Sequence, residues 1–274
     1  MLHGRKFKIA LCIGIAIAVL QWLDSTYLLT DPGRIGAYLF PVDDLVGVSE
    51  ISMEAPNTVY EEWIGVDTFS FFAVVFYMAM PLLAVLPYGT ELLEDHLSGY
   101  NRHVVIRENR EAYYLTGFMT AFLSGMLVIA IPMVINFLLH TSTYPLLIPQ
   151  DGRGSAPIGR VTMWGALFFE HPLVYTLIYL FIPSFYCGLV ACFSVAIGLV
   201  FEQRFVSLFF PFVLFMFANT ASIAMGEDQW SPYTFLCGAL FSSKVTPFVF
   251  LVTGLILFLP ALFTYLYKRK GDVF

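Results

Sequence analysis

The sequence predicts an all-α membrane protein with six transmembrane helices and both termini in the cytosol. Hydrophobic residues make up 58% of the 274 positions and charged residues 12%, and the mean hydropathy is +0.77. About a quarter of the positions of a soluble domain are charged, so this composition indicates that lipid is the main solvent of the chain. Six apolar stretches, each near the roughly 20 residues that cross a bilayer, fill most of a single transmembrane domain, 1–274.

The six predicted spans are the long uninterrupted apolar runs of the sequence. They lie near 8–29, 68–88, 113–140, 173–201, 205–225 and 247–267. The first run is too long for a removed signal peptide and lacks a small-residue cleavage pattern, so we expect it to remain as an anchor.

The basic residues fix the predicted orientation, because Lys and Arg concentrate on the cytosolic side of membrane proteins. The cytosolic ends carry Arg5, Lys6, Lys8, Arg102, Arg107, Arg110, Arg204, Lys268, Arg269 and Lys270, and the outer side carries Arg34, Arg153, Arg160 and Lys244. This asymmetry places 30–67 outside the cell as an outer loop and 89–112 in the cytosol.

The outer loop 30–67 is strongly acidic, and the whole chain has a net charge of -6. Its acids are Asp31, Asp43, Asp44, Glu50, Glu54, Glu61, Glu62 and Asp67, against the single base Arg34. They either attract cationic solutes or reflect the freedom of outer loops to be acidic, since orientation is written in Lys and Arg. The acidic balance argues against a nucleic-acid partner. The four cysteines lack metal-ligand spacing and are expected to be free apolar fillers, with no metal bound.

The inner loop 89–112 contains a predicted short amphipathic helix. Thr90 is a suitable N-cap, and Gly99 is a suitable stop. The apolar side of the helix comprises Leu92, Leu93, His96 and Leu97, and the polar side Glu91, Glu94 and Asp95. Such a helix is expected to lie with its apolar face on the membrane or in a groove of a partner protein. The loop is suited to transmitting force between a partner and two spans; the alternative is a plain connector whose arginines only fix topology.

A family resemblance appears in this region. The run Met-Pro-Leu-Leu-Ala-Val-Leu-Pro-Tyr-Gly at 80–89 is followed by Glu91, Glu94, Ser98, Gly99, Tyr100, Arg107, Tyr113 and Tyr114. This pattern resembles the second span and first cytosolic loop of type-2 ATP-binding-cassette (ABC) exporter permeases, in particular the small six-span permeases of Gram-positive bacteria that act in peptide-antibiotic immunity or export.

The resemblance implies a partner and a layout. It implies that the inner loop holds a coupling helix that docks on a cytosolic ABC ATPase, that a second permease chain, identical or related, completes the pathway, and that re-entrant outer helices lie between spans five and six. The implied ATPase-coupling residues are Glu91, Leu93, Glu94, Leu97, Tyr100, Arg102, Val105 and Arg107. The chain has no GxxxxGK[ST] phosphate loop, so ATP and Mg would be bound by the partner ATPase and this chain would be a transport subunit without catalytic residues or cofactors of its own.

The expected function is therefore export of an amphipathic peptide or lipid-like substrate from a bacterial plasma membrane. The alternatives are a non-transporting sensor or immunity protein that binds peptides through its acidic outer loops, and an intramembrane enzyme with an unrecognised site. A neighbouring gene for an ATPase would favour the exporter, whereas an adjacent sensor kinase would favour the sensor.

Four polar residues in the spans are candidates for a substrate pathway: Gln21, Asp24, Asn136 and Asn219. Gln21 and Asp24 are three residues apart, on one face of the outer half of span one, where a carboxylate costs less than at the bilayer centre. Contact with a polar substrate and contact with headgroups or the outer loops are both open. For Asn136 and Asn219, hydrogen bonding between helices is favoured over selection of a substrate.

Overall fold

The computed structural model describes residues 4–27, 57–68, 70–101, 104, 109–149, 158–160, 162–239 and 244–270. These residues form α-helices and one short 3-10 helix, and none of them lies in a β-strand. In chain order the helices are α1 (Arg5–Tyr27), α2 (Val59–Glu62), α3 (Phe71–Val85), α4 (Glu91–Leu97), α5 (Arg110–Thr141), α6 (Gly165–Glu170), α7 (Pro172–Phe201), α8 (Arg204–Ala224), the 3-10 helix Asp228–Trp230, α9 (Pro232–Leu236) and α10 (Pro247–Lys270).

The predicted all-α class is confirmed for the described residues, and five of its helices, α1, α5, α7, α8 and α10, are long and apolar enough to cross a membrane. They coincide with predicted spans one, three, four, five and six to within a few residues. The chain thus has the character of a multi-pass membrane protein. The second predicted span, 68–88, contains only the shorter helix α3. This helix has 15 residues and is about 22 Å long, which is less than the roughly 30 Å of the hydrocarbon core.

The long helix α7 forms the centre of the bundle, and α3, α5, α8 and α10 pack around it. In its most apolar stretch 78% of the residues are buried, whereas in the corresponding stretches of α8 and α10 only 17% are. Small residues make the central contact close: a Cβ atom added to Gly125 of α5 would lie 2.8 Å from the Cβ of Ala191 on α7. The outer surfaces of α8 and α10 are left for lipid.

The part of the predicted outer loop that the structure describes, 57–68, folds into one end of the bundle. Trp63 and Ile64 are fully buried there. The Gly238 amide, just after α9, donates a 2.7 Å hydrogen bond to the Gly65 carbonyl. Two short helices, the 3-10 helix and α9, lie between predicted spans five and six, and Cys237 just after α9 also contacts the Gly65 carbonyl.

Candidate functional site

The predicted inner-loop helix is present as α4, with the predicted ends. It begins after Thr90 and ends at Leu97, and Gly99 adopts a φ of +75°, the left-handed conformation that glycine accepts readily at a helix end. The Thr90 hydroxyl donates to the Glu94 carboxylate at 3.1 Å and makes no capping bond to a backbone amide. The ends of the helix therefore lie where the sequence predicts them, but the Thr90 side chain does not form the expected capping bond.

The apolar side of α4 faces the bundle of its own chain. Leu92 is 3% exposed and Leu93 1% exposed. Leu92 lies over Gly117 of α5, where an added Cβ atom would come within 2.4 Å of the Leu92 Cδ1 atom, and Leu93 lies beside Gly198 of α7. The expectation that this face rests on the membrane or in a partner groove is wrong for Leu92 and Leu93, because both side chains are buried inside the protein, and Gly117 leaves the room that Leu92 occupies.

The polar side of α4 is tied to the first span. The Lys6 Nζ atom, near the start of α1, lies 2.8 Å from the Glu91 carboxylate and 3.1 Å from that of Glu94. Burial acts to raise the pKa of Glu94, but hydrogen bonds from Lys6 and Thr90 outweigh it, and the pKa falls below its ordinary value. Glu91 and Glu94 thus bind a lysine of their own chain.

Two further contacts hold the end of α4. The Tyr113 hydroxyl of α5 donates to the Asp95 carboxylate at 2.8 Å. The His96 Nε2 atom lies 3.6 Å from the Glu202 carboxylate in the turn between α7 and α8. Together with Lys6, these contacts connect one seven-residue helix to α1, α5 and the α7–α8 turn.

The coupling residues predicted from the resemblance therefore fall into three groups. Leu97 and Tyr100 are 48% and 56% exposed and form a free apolar edge at the end of α4. Glu91, Leu93 and Glu94 contact their own chain. The remaining three, Arg102, Val105 and Arg107, lie outside the described residues.

At the opposite end of the bundle, a buried polar network joins α1, α5 and the outer loop. The Asn136 amide nitrogen donates to the Gln21 side-chain oxygen at 2.6 Å and to the Ala18 carbonyl at 2.8 Å. The Asn136 side-chain oxygen accepts from the Ile64 amide at 2.8 Å. Gln21 in turn donates to the Asp67 carboxylate at 2.7 Å. The prediction that Asn136 hydrogen-bonds between helices is confirmed.

Acids of the outer loop belong to this network. Ser70 donates to the Asp24 carboxylate at 2.6 Å, and Ser25 donates to the Glu62 carboxylate at 2.9 Å. Glu61, Glu62 and Asp67 are each at most 4% exposed, so these three acids do not present charge to the surrounding water. Burial raises the pKa of Glu61, although hydrogen bonds from Thr58 oppose it. The other five acids of the loop lie outside the described residues.

The four pathway candidates do not form one site. Gln21, Asp24 and Asn136 lie in the outer network, where contact with the outer loop is the interpretation that their hydrogen bonds favour. Asn219 of α8 is separate and accepts a hydrogen bond from the Ser231 hydroxyl just before α9. The sequence reasoning missed Glu62 and Ser70 as members of the network; the only signal for their burial was the apolar run Trp63, Ile64 and Val66 beside them.

The fold and these contacts define a class: an all-α membrane protein with a short helix fastened to one end of its bundle. Among the residues that the structure describes, no group of three or more His, Cys, Asp or Glu side chains is placed to hold a metal ion. Comparison with protein-family models, with curated proteins and with solved structures finds no match to the chain.

Proposed function

We propose that the chain is the permease subunit of an ABC-type exporter in a bacterial plasma membrane. In this proposal a cytosolic ATPase binds ATP and Mg and docks beneath α4. A second permease chain, identical or related, completes the pathway. An amphipathic peptide or lipid-like substrate is then moved outward.

The observation that carries the proposal is the way in which α4 is attached. The helix is fixed to α1 by the Lys6 ion pairs, to α5 and α7 by two buried leucines, and to the α7–α8 turn by His96. A force applied to its free edge would therefore act on several spans at once. A plain connector needs no such set of contacts.

In this proposal the ATPase binds at the exposed end of α4. Since Leu93 is covered by its own chain, the docking surface reduces to the edge formed by Leu97 and Tyr100 and whatever the adjacent loop contributes. A leucine and a tyrosine on an exposed helix end suit insertion into an apolar groove of a partner.

A photo-crosslinking amino acid placed at Tyr100 tests the docking. Irradiation of intact membranes is expected to join position 100 to a polypeptide that carries a GxxxxGK[ST] loop. The matched control is position 263, because Phe263 is 72% exposed on α10 and faces lipid. It should give no such product.

A functional measurement completes the test. In vesicles containing the chain and the captured ATPase, Leu97→Asp should abolish the acceleration of ATP hydrolysis that the permease causes, while the chain remains inserted and folded. Crosslinking of position 100 to a sensor kinase, with no ATPase among the products, would refute the exporter and favour the sensor alternative.

A further inference from the structure

A cavity of about 180 Å³ lies inside the bundle, between α7 and the lipid-facing helices. Its floor is formed by α7 with Cys187 and Val190, and its walls by α8 and α10. Residues of α3 contribute one side, and the 3-10 helix and α9 close the outer end with Trp230 and Phe235. It is separate from the surroundings of α4 and from the outer polar network.

The lining of the cavity is almost wholly hydrocarbon. Among its polar groups, the Tyr186 hydroxyl is bonded to the Phe250 carbonyl and lies 3.0 Å from the Thr253 hydroxyl, so it is not available to water. An apolar cavity of about 150 Å³ in a protein core stays dry and takes up molecules such as benzene. This cavity is large enough for a hydrocarbon segment of several carbons and offers water few partners.

Specific residues of the sequence create the space. Pro81 of α3 and Pro211 of α8 both line it, and a proline inside a helix removes one backbone hydrogen bond and pushes on the preceding turn. Ala218, about two turns after Pro211 on α8, presents only a methyl group to the cavity. Leucines or phenylalanines at these positions would fill the volume.

The cavity has a lateral route to the bilayer. Helices α8 and α10 both pack on α7 but make no extensive contact with each other. Ile256, which lines the cavity from α10, is 58% exposed and lies at this gap. Hydrocarbon is the medium outside α8 and α10, because their most apolar stretches are largely unburied.

A polar position lies near the outer end of the cavity. Asn219 follows Ala218 on α8 and is bonded to Ser231, which precedes the cavity residue Pro232. An amphiphile with its tail in the cavity would therefore have a polar group within reach of its outer part.

We propose that this cavity is a binding site for one acyl chain of a phospholipid from the surrounding bilayer, which enters between α8 and α10. The inference does not depend on the proposed transport function. It assigns to Asn219 a place near the headgroup end of a lipid, apart from the Gln21 and Asp24 network.

A photoactivatable phospholipid, with a diazirine on one acyl chain, tests the proposal in vesicles that contain the full chain and no ATPase. Labels on Cys187 and Val190 report entry, because these residues are 3% and 8% exposed. Labels on Phe181, 52% exposed on the same helix, report ordinary contact with lipid. We expect labelling of the floor residues to be comparable to that of Phe181.

Filling the cavity should remove the floor labels selectively. Ala218→Phe is expected to reduce labelling of Cys187 and Val190 at least fivefold and to leave Phe181 labelling unchanged. Its control is Val213→Phe, on the same helix at a 57% exposed position. Ile256→Trp fills the cavity from α10 and serves as the second variant if Ala218→Phe does not fold; Leu259→Trp is its control.

Three outcomes would overturn the proposal. The first is absence of floor labels in the wild-type chain. The second is floor labelling that the filling variants and their controls change equally. The third is labelling by a diazirine fatty acid but not by the phospholipid, which would assign the cavity to a free fatty acid.

Discussion

The orientation of α4 makes a sharp prediction about two leucines on the same short helix. Leu93 is 1% exposed and packed beside Gly198, whereas Leu97 is 48% exposed at the free edge. Full burial of a leucine side chain contributes about 1.5 to 3 kcal/mol, and the cavity left by truncation adds to the loss. Leu93→Ala should therefore lower the free energy of unfolding by about 2 to 5 kcal/mol, and Leu97→Ala by about 1 kcal/mol or less.

The two variants are matched, because both replace leucine by alanine in one helix and change its intrinsic propensity alike. The assay is equilibrium unfolding of the purified chain in mixed micelles of a mild detergent and dodecyl sulfate. Coupling to the ATPase should depend more on Leu97 than on Leu93. Leu97→Ala should therefore impair stimulation of ATP hydrolysis by more than its small loss of stability explains. Equal stability losses in the two variants would refute the packing of α4 described above.

Three other predictions concern stability, each measured by the same unfolding assay. Asn136→Leu should cost about 1 to 3 kcal/mol, since it leaves the buried Ile64 amide without its acceptor; a loss below about 0.5 kcal/mol would contradict this. Gly125→Ala should be less stable than Gly254→Ala by about 1 to 3 kcal/mol. An added Cβ at position 125 would lie 2.8 Å from a backbone oxygen, whereas at position 254 its nearest neighbour would be 3.5 Å away. Equal stabilities of the two variants would count against close α5–α7 packing.

The third is a pH dependence of opposite sign for two glutamates. The pKa of Glu94 is lowered in the fold from 4.5, so its stabilisation is present above pH 4.5 and is lost as the pH falls through the folded value. The pKa of Glu61 is raised from 4.5, so its contribution is complete below pH 4.5 and is lost as the pH rises through the folded value. Stability relative to wild type should therefore rise on acidification for Glu94→Gln and fall for Glu61→Gln; the same trend in both variants would contradict these environments.

Local rules predicted α4 well. Thr90 and Gly99 marked its ends, and the spacing of the apolar residues placed Leu92 and Leu93 on one side, whereas Leu97, predicted for the same side, is 48% exposed. Spacing does not show what covers that side. The cover comes from α5 and α7, which lie against Leu92 at Gly117 and beside Leu93 at Gly198 and are distant in sequence, so the inward orientation of the two leucines could not be read from the loop itself.

The buried polar network around Asn136 likewise depends on contacts that the local sequence does not show. Hydropathy predicted all five long apolar helices of the described residues closely, because each spanning stretch carries its own apolar signal. The burial of Glu62 and Asp67 ran against their charge, since it depends on donors such as Gln21 and Ser25 that α1 brings to the same place. Pairing of this kind is set by tertiary structure; the neighbouring apolar residues Trp63, Ile64 and Val66 hint at burial, but nothing in the loop sequence identifies the donors.

The central claim is that α4 presents its free edge to the cytosol, where an ATPase can bind it. A single cysteine at Leu97, in a chain that carries Cys12→Ser, tests this with a membrane-impermeant maleimide, since the other three cysteines are buried. We expect labelling in inside-out vesicles and none in right-side-out vesicles. Labelling from the outer face alone would place α4 beyond the reach of any cytosolic ATPase and contradict the account.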